Sequence, residues 1–444
     1  MYFLYRILTA AGMAIIAPYF ALRGRRHGEP LAALKERLGI LPPVMSRQTQ
    51  QSPTTSPGAI WIHAVSVGEV LAARPIVEGL KNRFPERVIL VSTTTETGRR
   101  LATERLQSAD RVFYFPLDWI VPVRRALRAV RPGIIIIMET EIWPNFLREA
   151  RRSGIPVVFA NARISERSFA RFLRWRFLIG QFFSCVLQDV DLFLAQSPDD
   201  SARLAEMGAP EDRIEVTGNL KYDAEPPQMG PFGEWLTAQV RQQERWPVIV
   251  AGSVVADEEQ AVLAAYDIVQ RHWRRALLIL APRKPDRFDG AAESVESSGW
   301  RIARRSRLDF KEALDENVDV VLLDSIGELA GLYSVADAVF VGGSLVNSGG
   351  HNILEPAWFL KPPVFGPSME NFREMASQFL RAKAGVQVTS GPQLGKVWVQ
   401  LIEDNALRDR MGRAARELSE RNRGAASRSL ARISAILNKK EASA

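Results

Sequence analysis

Short, continuously apolar runs alternate with amphipathic stretches along most of the chain. In the first half the apolar runs read AIWIHAV, RVILVST, GIIIIME, PVVFANAR, DLFLAQS and IEVTGN, and stretches such as AARPIVEGLKNRF separate them. Runs that are apolar at every position are typical of strands buried on both faces, and helices between such strands indicate parallel crossovers. The pattern therefore predicts a parallel, doubly wound α/β sheet.

A second series of the same kind begins near residue 246. Its apolar runs are WPVIVAGS, ALLILAPR, DVVLLDS and DAVFVGGS, and the Pro- and Gly-containing stretch YDAEPPQMGPFGEW before it is typical of a linker. We therefore predict two Rossmann-like domains facing a shared cleft, because ligands of such sheets bind at the carboxyl ends of the strands. The predicted division is a segment 1–25, domains 26–230 and 240–425, and a tail 426–444.

The N-terminal stretch 3–22 is apolar apart from Arg6 and is followed by Arg23, Arg25 and Arg26. Its length matches the ~20 residues that a helix needs to cross a bilayer, and the basic flank predicts that the large C-terminal body is cytoplasmic. We interpret it as an uncleaved membrane anchor. An amphipathic helix or a helix of the protein core is the alternative, because Arg6 and Pro18 weaken a spanning segment.

The composition is that of an ordinary globular protein, with 46% hydrophobic and 24% charged residues in 444. The net charge of +8 favours anionic partners without selecting a class of them. The single cysteine, Cys185, excludes an intrachain disulfide, and with only four histidines it disfavours a Cys/His zinc cluster. Candidate chemistry is therefore sought among the groups at the strand ends.

Polar side chains follow several predicted strands of the first domain. In IIIIMETEIWPN a buried run leads directly into Glu139 and Glu141, and in HAVSVGE a glycine that permits a sharp turn precedes Glu69. A carboxylate in a partly dry cleft can have its pKa raised to that of a useful general base, although a helix-capping role stays open for each acid. The strand-end groups are Ser66, Gly68, Glu69, Thr93 to Thr95, Glu139, Glu141, Asn161, Arg163, Asn219 and Lys221.

In the second domain the Gly-rich stretch GGSLVNSGGHNILEP follows the last apolar run. Its glycines precede a helix predicted from about Asn352, whose first N–H groups and positive dipole end attract phosphate. Arg283 and Lys284 end a neighbouring strand, and Glu355 lies one turn into the helix, placed to accept hydrogen bonds from ribose. A structural turn capped by Asn352 is the alternative. His351 is interpreted as a structural donor.

The segment 163–187, RISERSFARFLRWRFLIGQFFSCVL, interleaves aromatic and basic residues at helical spacing. One interpretation is a stripe that faces the core beside solvated arginines, and the other is a surface that contacts a membrane or lipid phosphate. The residues concerned are Phe169, Phe172, Leu173 and Phe177 with Arg167, Arg171, Arg174 and Arg176.

Several stretches together resemble one known family. HAVSVGEVLAARPIV, IIIIMETEIWPN, FANARISERS, VTGNLKYD, LLILAPRKPDRF, DSIGELAGLYSVADAVFVGGSL and GGHNILEPA are similar, in order, to signature stretches of the 3-deoxy-D-manno-octulosonic acid (Kdo) transferases. The resemblance implies a GT-B glycosyltransferase anchored in the inner membrane. It would transfer Kdo from CMP-Kdo to the lipid A precursor, lipid IVA, with inversion, without an essential metal or other cofactor and without a nucleic-acid partner.

The resemblance also implies roles for individual residues. Glu69 would be the general base, and Glu139 and Lys221 would stabilise the transition state. The chain departs from the family pattern at Val255 and Lys284, where the family carries histidines. The alternatives are another membrane-associated GT-B transferase with a different nucleotide sugar, and a membrane-tethered binding protein without turnover. The implied CMP-binding residues are Pro282, Arg283, Ile326, Gly327, Glu328, Asn352, Ile353, Leu354 and Glu355.

Overall fold

The computed structural model describes residues 2, 5–7, 9, 12, 31–42 and 58–442. The chain divides into two compact units, the first formed by Met1–Ala224 with Asn422–Ala444 and the second by Glu225–Arg421. Most of the predicted anchor 3–22 lies outside the described residues. Among the residues that are described, no helix has the length and apolar character needed to cross a membrane.

The described residues near the N-terminus contact the first unit through polar side chains. The Tyr2 hydroxyl donates a hydrogen bond of 2.7 Å to Asp189, and Arg6 forms an ion pair of 3.0 Å with the buried Glu149. The ring of Tyr2 also packs edge-on against Phe182. Arg6, which interrupts the apolar run, therefore has a carboxylate partner in the folded protein.

The first unit is built around a parallel, seven-stranded sheet in the part of the chain that the structure describes, with strand order β3-β2-β1-β4-β5-β6-β7. The strands are Ala59–His63 (β1), Ile89–Thr93 (β2), Arg111–Tyr114 (β3), Pro132–Met138 (β4), Val157–Ala162 (β5), Leu192–Ala195 (β6) and Ile214–Val216 (β7). The helices before and between them are Leu31–Arg37 (α1), Val67–Arg83 (α2), Glu96–Arg105 (α3), Ile120–Val130 (α4), Pro144–Arg152 (α5), Glu166–Leu187 (α6) and Pro198–Glu206 (α7).

Both faces of this sheet are covered, which explains why its central strands β1 and β4 are buried at every position. Trp61 of β1 and Ile135 of β4 belong to one hydrophobic cluster, and their chain neighbours Ile60 and Ile134 belong to the cluster on the opposite face. Successive side chains of a strand point to opposite faces, so a strand covered on both sides is mainly apolar and does not alternate with polar positions. The predicted doubly wound sheet is confirmed.

The second unit repeats this architecture with strand order β10-β11-β9-β8-β12-β13-β14, again entirely parallel. Its strands are Val248–Val254 (β8), Leu277–Pro282 (β9), Ile302–Arg304 (β10), Val320–Leu322 (β11), Ala338–Val341 (β12), Val364–Phe365 (β13) and Val386–Gln387 (β14). Its helices are Pro231–Gln242 (α8), Glu259–His272 (α9), Phe288–Ser297 (α10), Leu329–Leu332 (α11), Leu354–Ala357 (α12), Arg373–Arg381 (α13), Gly391–Glu403 (α14) and Asn405–Arg421 (α15).

Each sheet has one position where the direction of winding reverses. In the first unit the chain leaves β1 toward β2 on one side and later returns to add β4 on the other, and β8 lies in the same way between β9 and β12. Loops that leave the strand ends on either side of such a switch point diverge and open a crevice, which is where ligands of open α/β sheets bind. Glu69 follows β1 and Glu139 follows β4, so both lie at the first switch point.

The last helix, Ala425–Ala442 (α16), belongs to the first unit, whereas the sequence analysis assigned residues 426–444 to a separate tail. Leu430, Ile433 and Leu437 of α16 join the hydrophobic cluster that contains Val70 and Val77 of α2. The physical reason is the apolar stripe that these three residues form on one face of α16, which is buried against the first unit.

Candidate functional site

Glu69 lies in the first turn of α2, where Ser66 is the N-cap. The Ser66 Oγ accepts a hydrogen bond of 3.3 Å from the backbone N–H of Glu69 and donates one of 2.8 Å to its carboxylate, and the Val65 N–H donates another of 2.8 Å. This reciprocal arrangement resembles a capping box. Glu69 therefore does take part in the helix cap, and the cap fixes the orientation of its carboxyl group.

The environment of Glu69 sets its proton affinity. The residue is only 6% exposed, and burial raises the pKa of its carboxyl group to about 7. The hydrogen bonds from Val65 and Ser66 oppose this rise, and the negative charges of Glu139 and Glu141 add to it. A carboxyl group that titrates near neutral pH can both accept and release a proton under physiological conditions.

Glu139 is the first residue after β4 and adopts a left-handed backbone conformation with φ of 55°. Its N–H donates a hydrogen bond of 2.8 Å to the carbonyl of Ala160 on the neighbouring strand β5. A non-glycine residue in this region of backbone space is uncommon and persists only where the surrounding structure holds it. The turn sends the chain away from the sheet and leaves the half-buried Glu139 side chain at the switch point.

Lys221 lies on a single 3-10 turn, Leu220–Asp223, that follows β7. Burial lowers the pKa of its ammonium group, Glu139 and Glu69 raise it, and the positive charge of Arg163 lowers it further. The structure thus brings the three predicted catalytic residues within electrostatic reach of one another. We call this group the first-unit site; it consists of Glu69, Glu139, Glu141, Arg163 and Lys221.

In the second unit the Gly-rich loop is organised by a buried carboxylate that the sequence analysis missed in this role. Glu258 accepts hydrogen bonds from the backbone N–H groups of Val255 (3.1 Å), Gly343 (2.6 Å), Ser344 (2.8 Å) and Leu345 (2.7 Å). Its side chain is fully buried. The acidic pair in GSVVADEEQ was visible in the sequence, but nothing local to it indicated its partners in a loop more than eighty residues later.

The N–H groups of the glycines in this loop are bonded within the protein. Besides Gly343, which donates to Glu258, the N–H of Gly342 donates to the Gly252 carbonyl, that of Gly349 to the Ser368 hydroxyl and that of Gly350 to the Gly343 carbonyl. The helix predicted from about Asn352 is the single turn Leu354–Ala357. The protein's own groups therefore occupy the N–H donors of these four glycines.

Three of the predicted CMP-binding residues, Arg283, Asn352 and Glu355, interact with one another. The Asn352 side-chain amide donates to the Glu355 carboxylate over 3.4 Å, and its oxygen accepts a bond of 3.2 Å from the Leu354 N–H. Burial raises the pKa of Glu355 to about 7, against the effects of the Asn352 hydrogen bond and the charge of Arg283. Burial and the charge of Arg283 also lower the pKa of His351 to about 4, so this ring is neutral at pH 7.

The other predicted CMP-binding residues differ from these in their surroundings. Pro282, Ile353 and Leu354 are buried, so their side chains belong to the core. Glu328 accepts two hydrogen bonds, of 3.0 and 2.9 Å, from the guanidinium of Arg305 and is thereby held in an ion pair. Just before it, the 65% exposed Ile326 and Gly327, at φ of 96°, form an open turn after β11.

The aromatic residues of the segment 163–187 lie on helix α6, and the two parts of this helix differ in their burial. Phe172 is buried in the core of the first unit, with Phe169 and Leu173 packed against the same cluster. Phe177 is instead 90% exposed, next to Leu178 and Trp175, which are 72% and 50% exposed. Arg167, Arg171, Arg174 and Arg176 are also exposed. The core interpretation holds for the first part of the helix, and the second part is an exposed apolar and basic surface.

Comparison with known proteins shows which family this chain belongs to. Residues 32–224 match the family described as 3-Deoxy-D-manno-octulosonic-acid transferase (kdotransferase). A 3-deoxy-D-manno-octulosonic acid transferase of Haemophilus influenzae is 35% identical over 383 residues, which cover 84% of this chain and 86% of the relative. The chain belongs to the Kdo transferase family. A Kdo transferase of Bordetella pertussis is 33% identical over 408 residues, covering 88% of this chain and 90% of the relative.

Family membership confirms the resemblance seen in the sequence and makes the protein a glycosyltransferase. Its fold is shared more widely. A crystal structure of a UDP-N-acetylglucosamine 2-epimerase from Listeria monocytogenes matches with a TM-score of 0.56 and 13% identity, covering 87% of this chain and 98% of that chain. At this identity the match shows the GT-B-like architecture of two α/β units and nothing about the reaction.

Proposed function

We propose that this Kdo transferase transfers Kdo from CMP-Kdo to the lipid A precursor, lipid IVA, with inversion at the anomeric carbon. The observation that carries the proposal is Glu69, a buried carboxyl group with a pKa of about 7, held at a switch point beside the cation of Lys221. A binding protein without turnover has no need of a group tuned in this way.

The first-unit site supplies the groups that a single displacement needs. The Glu69 carboxylate takes the proton from the acceptor hydroxyl as that oxygen attacks the anomeric carbon from the face opposite the phosphate. The bond between the anomeric carbon and the phosphate oxygen breaks, and its electron pair leaves with CMP. Lys221 stabilises the negative charge that develops in this step, and Glu139 holds Lys221 by charge attraction.

The second unit binds the nucleotide. Arg283 offers an exposed cation to the phosphate, and Glu355 and Asn352 offer hydrogen-bonding groups to the ribose hydroxyls. Because the glycine N–H groups of the preceding loop are bonded within the protein, we assign the main charge contact of the phosphate to Arg283. Lys284, also exposed, adds a second cation beside it.

The direct test is a transfer assay with the purified full-length protein. The protein is incubated with lipid IVA and CMP-Kdo in the presence of EDTA, and the lipid product is weighed by mass spectrometry. We expect the lipid to gain the mass of Kdo. A gain with a different nucleotide sugar, but none with CMP-Kdo, would instead support the alternative of another membrane-associated GT-B transferase.

The pH dependence of kcat should report the ionisation of Glu69. Only the carboxylate form accepts a proton, and burial raises its pKa to about 7, so kcat should rise as the pH increases through about 7. An ordinary exposed glutamate would place this rise more than two units lower. On the alkaline side, kcat should fall at a lower pH than for an ordinary lysine, because burial lowers the pKa of Lys221. A rate that is constant between pH 5 and 8 would contradict the assignment of Glu69.

We also propose that the protein sits on the inner membrane, with residues 3–22 as an anchor, the body on the cytoplasmic side and the exposed end of α6 in contact with lipid. An environment-sensitive fluorophore at Phe177→Cys, with Cys185 replaced by serine, should shift to the blue when anionic vesicles are added. The matched control is the same fluorophore at Leu380→Cys on α13, which should emit as in water. Equal emission at the two positions would argue against contact of α6 with lipid.

A further inference from the structure

The geometry points to Asp223 as a positioning residue that holds Lys221 in the first-unit site. Asp223 ends the 3-10 turn that carries Lys221, and it connects this turn to the N-terminus of α16. The inference rests on the role proposed above for Lys221. It adds to that role the contact that keeps the lysine in place.

The Asp223 carboxylate is bonded on both oxygens. The N–H of Gly424 donates to Oδ1 and the N–H of Ala426 donates to Oδ2. Both donors lie at the start of the 18-residue α16, where backbone N–H groups have no partner within the helix and a negative charge is stabilised by the helix dipole. One side chain therefore joins the end of the Lys221 turn to a long helix through two charge-assisted hydrogen bonds.

The other end of the turn is held as well. The N–H of Leu220 donates a hydrogen bond of 3.0 Å to Oδ1 of Asn161, which is buried at the end of β5 with a left-handed φ of 59°. The side chains of Leu220 and Tyr222, on either side of Lys221, are buried. A turn of four residues fixed at both ends has little freedom to move the lysine between them.

Helix α16 is a suitable fixed point because it packs on the helix that carries Glu69. A Cβ atom added to Gly79 of α2 would lie 2.3 Å from Leu430 of α16, so the two helices meet in close contact. Near its start, α16 is also bonded to the loop before the turn, since Arg428 donates a hydrogen bond of 2.8 Å to the Thr217 carbonyl. Asp223 thus connects the turn that carries Lys221 to α16, which packs on the helix that carries Glu69.

Positioning matters for this lysine more than for an exposed one. The Lys221 side chain has several freely rotating bonds, and holding it in one place costs conformational entropy. Its position also decides its distance from Glu69 and Glu139, whose charges act on it. A displacement of about 1 Å of a group in a reacting constellation can lower the rate by about a hundredfold.

Replacing Asp223 by alanine should lower kcat by about tenfold and leave KM for CMP-Kdo and for lipid IVA within about twofold, because the turn loses its tie to α16 while the binding groups remain. Asp223→Asn keeps one accepting oxygen and should recover kcat to within about threefold of the unaltered protein. The matched control is Arg432→Ala, which removes the exposed ion pair of α16 with Glu215 and should change neither parameter.

A double-mutant cycle with Lys221→Ala decides whether Asp223 acts through Lys221. We expect Lys221→Ala to lower kcat by about a hundredfold and Asp223→Ala to lower it no further in that background, measured in single-turnover assays with the full-length enzyme. An equal loss in both backgrounds would overturn the inference, because Asp223 would then act on the fold in general. Should Asp223→Ala not fold, Asp223→Asn replaces it in the same cycle.

The remaining outcomes separate this inference from the proposed function. If Lys221→Ala keeps the full kcat, the role proposed for Lys221 fails and the inference fails with it. If Lys221→Ala loses activity while Asp223→Ala and Arg432→Ala both retain the full kcat, the inference alone fails.

Discussion

Replacing Glu69 by glutamine is expected to lower kcat by between about a hundredfold and ten-thousandfold, the range that removal of a general base produces. Glutamine has nearly the same shape and can keep one of the two hydrogen bonds that Ser66 and Val65 donate to the carboxylate. It cannot accept the proton of the acceptor hydroxyl. The affinity for CMP, measured by calorimetry, should be unchanged because the proposed nucleotide-binding residues belong to the second unit.

The matched control for this variant is Glu141→Gln. Burial raises the pKa of Glu141 as well, and Glu139 raises it further, so the two variants remove similar charges from neighbouring positions. Glu141 has no proposed proton-transfer role, and we expect its loss to lower kcat less than about tenfold. The assignment of the base would be wrong if Glu69→Gln retained as much activity as Glu141→Gln.

The strands could be predicted from the sequence because their burial on both faces leaves a direct mark. The seven positions of β4, PGIIIIM, are all buried, and no alternating pattern is possible in such a strand. No comparable sequence pattern indicates the order of the strands in each sheet. This order depends on which side of β1 each crossover adds the next strand, and that choice is made by packing between segments distant in the chain.

The residues of the first-unit site could be predicted from the sequence, but their arrangement in space could not. Glu69, Glu139 and Lys221 each follow a strand, so a parallel sheet predicts that they share one edge. Which of them interact depends on the strand order and on the left-handed turn at Glu139. The raised pKa of Glu69 depends mainly on its burial, which is a property of the packed unit and not of the segment HAVSVGE.

Helix α16 shows a signal that the sequence did contain. Leu430, Ile433 and Leu437 recur at helical spacing and indicate a face that must be covered by another part of the protein. The position of these residues at the end of the chain favoured a tail. Only the fold shows that the covering surface is α2 in the first unit, after the chain has passed through the whole of the second unit.

The sequence of the Gly-rich loop in the second unit does not show which anion its N–H groups bind. A loop whose N–H groups converge is an anion site whether the anion comes from a ligand or from the protein, and the local sequence is the same in both cases. Here the anion is the buried carboxylate of Glu258, which accepts four N–H groups. Such a carboxylate is stabilised by the hydrogen bonds it accepts, and the loop depends on it in turn.

Glu258→Ala should therefore destabilise the second unit by about 3–5 kcal/mol, because removal of the carboxylate leaves several buried N–H groups without an acceptor, each costing about 1–3 kcal/mol. The amide protons of Gly343, Ser344 and Leu345 should exchange with solvent much faster than in the unaltered protein, and CMP affinity should fall as the loop before Asn352 loosens. Chemical denaturation and hydrogen–deuterium exchange measure the first two effects.

The matched control is Glu259→Ala, the next residue in the chain. Glu259 is also buried but has an ion-pair partner, Arg287, that is partly exposed and can be solvated when the carboxylate is lost. We expect a cost of about 1 kcal/mol and unchanged exchange of the loop amides. Equal destabilisation by the two variants, with loop amides that stay protected in Glu258→Ala, would show that the loop holds its shape without the carboxylate. The glycine N–H groups would then be candidates for binding the donor phosphate.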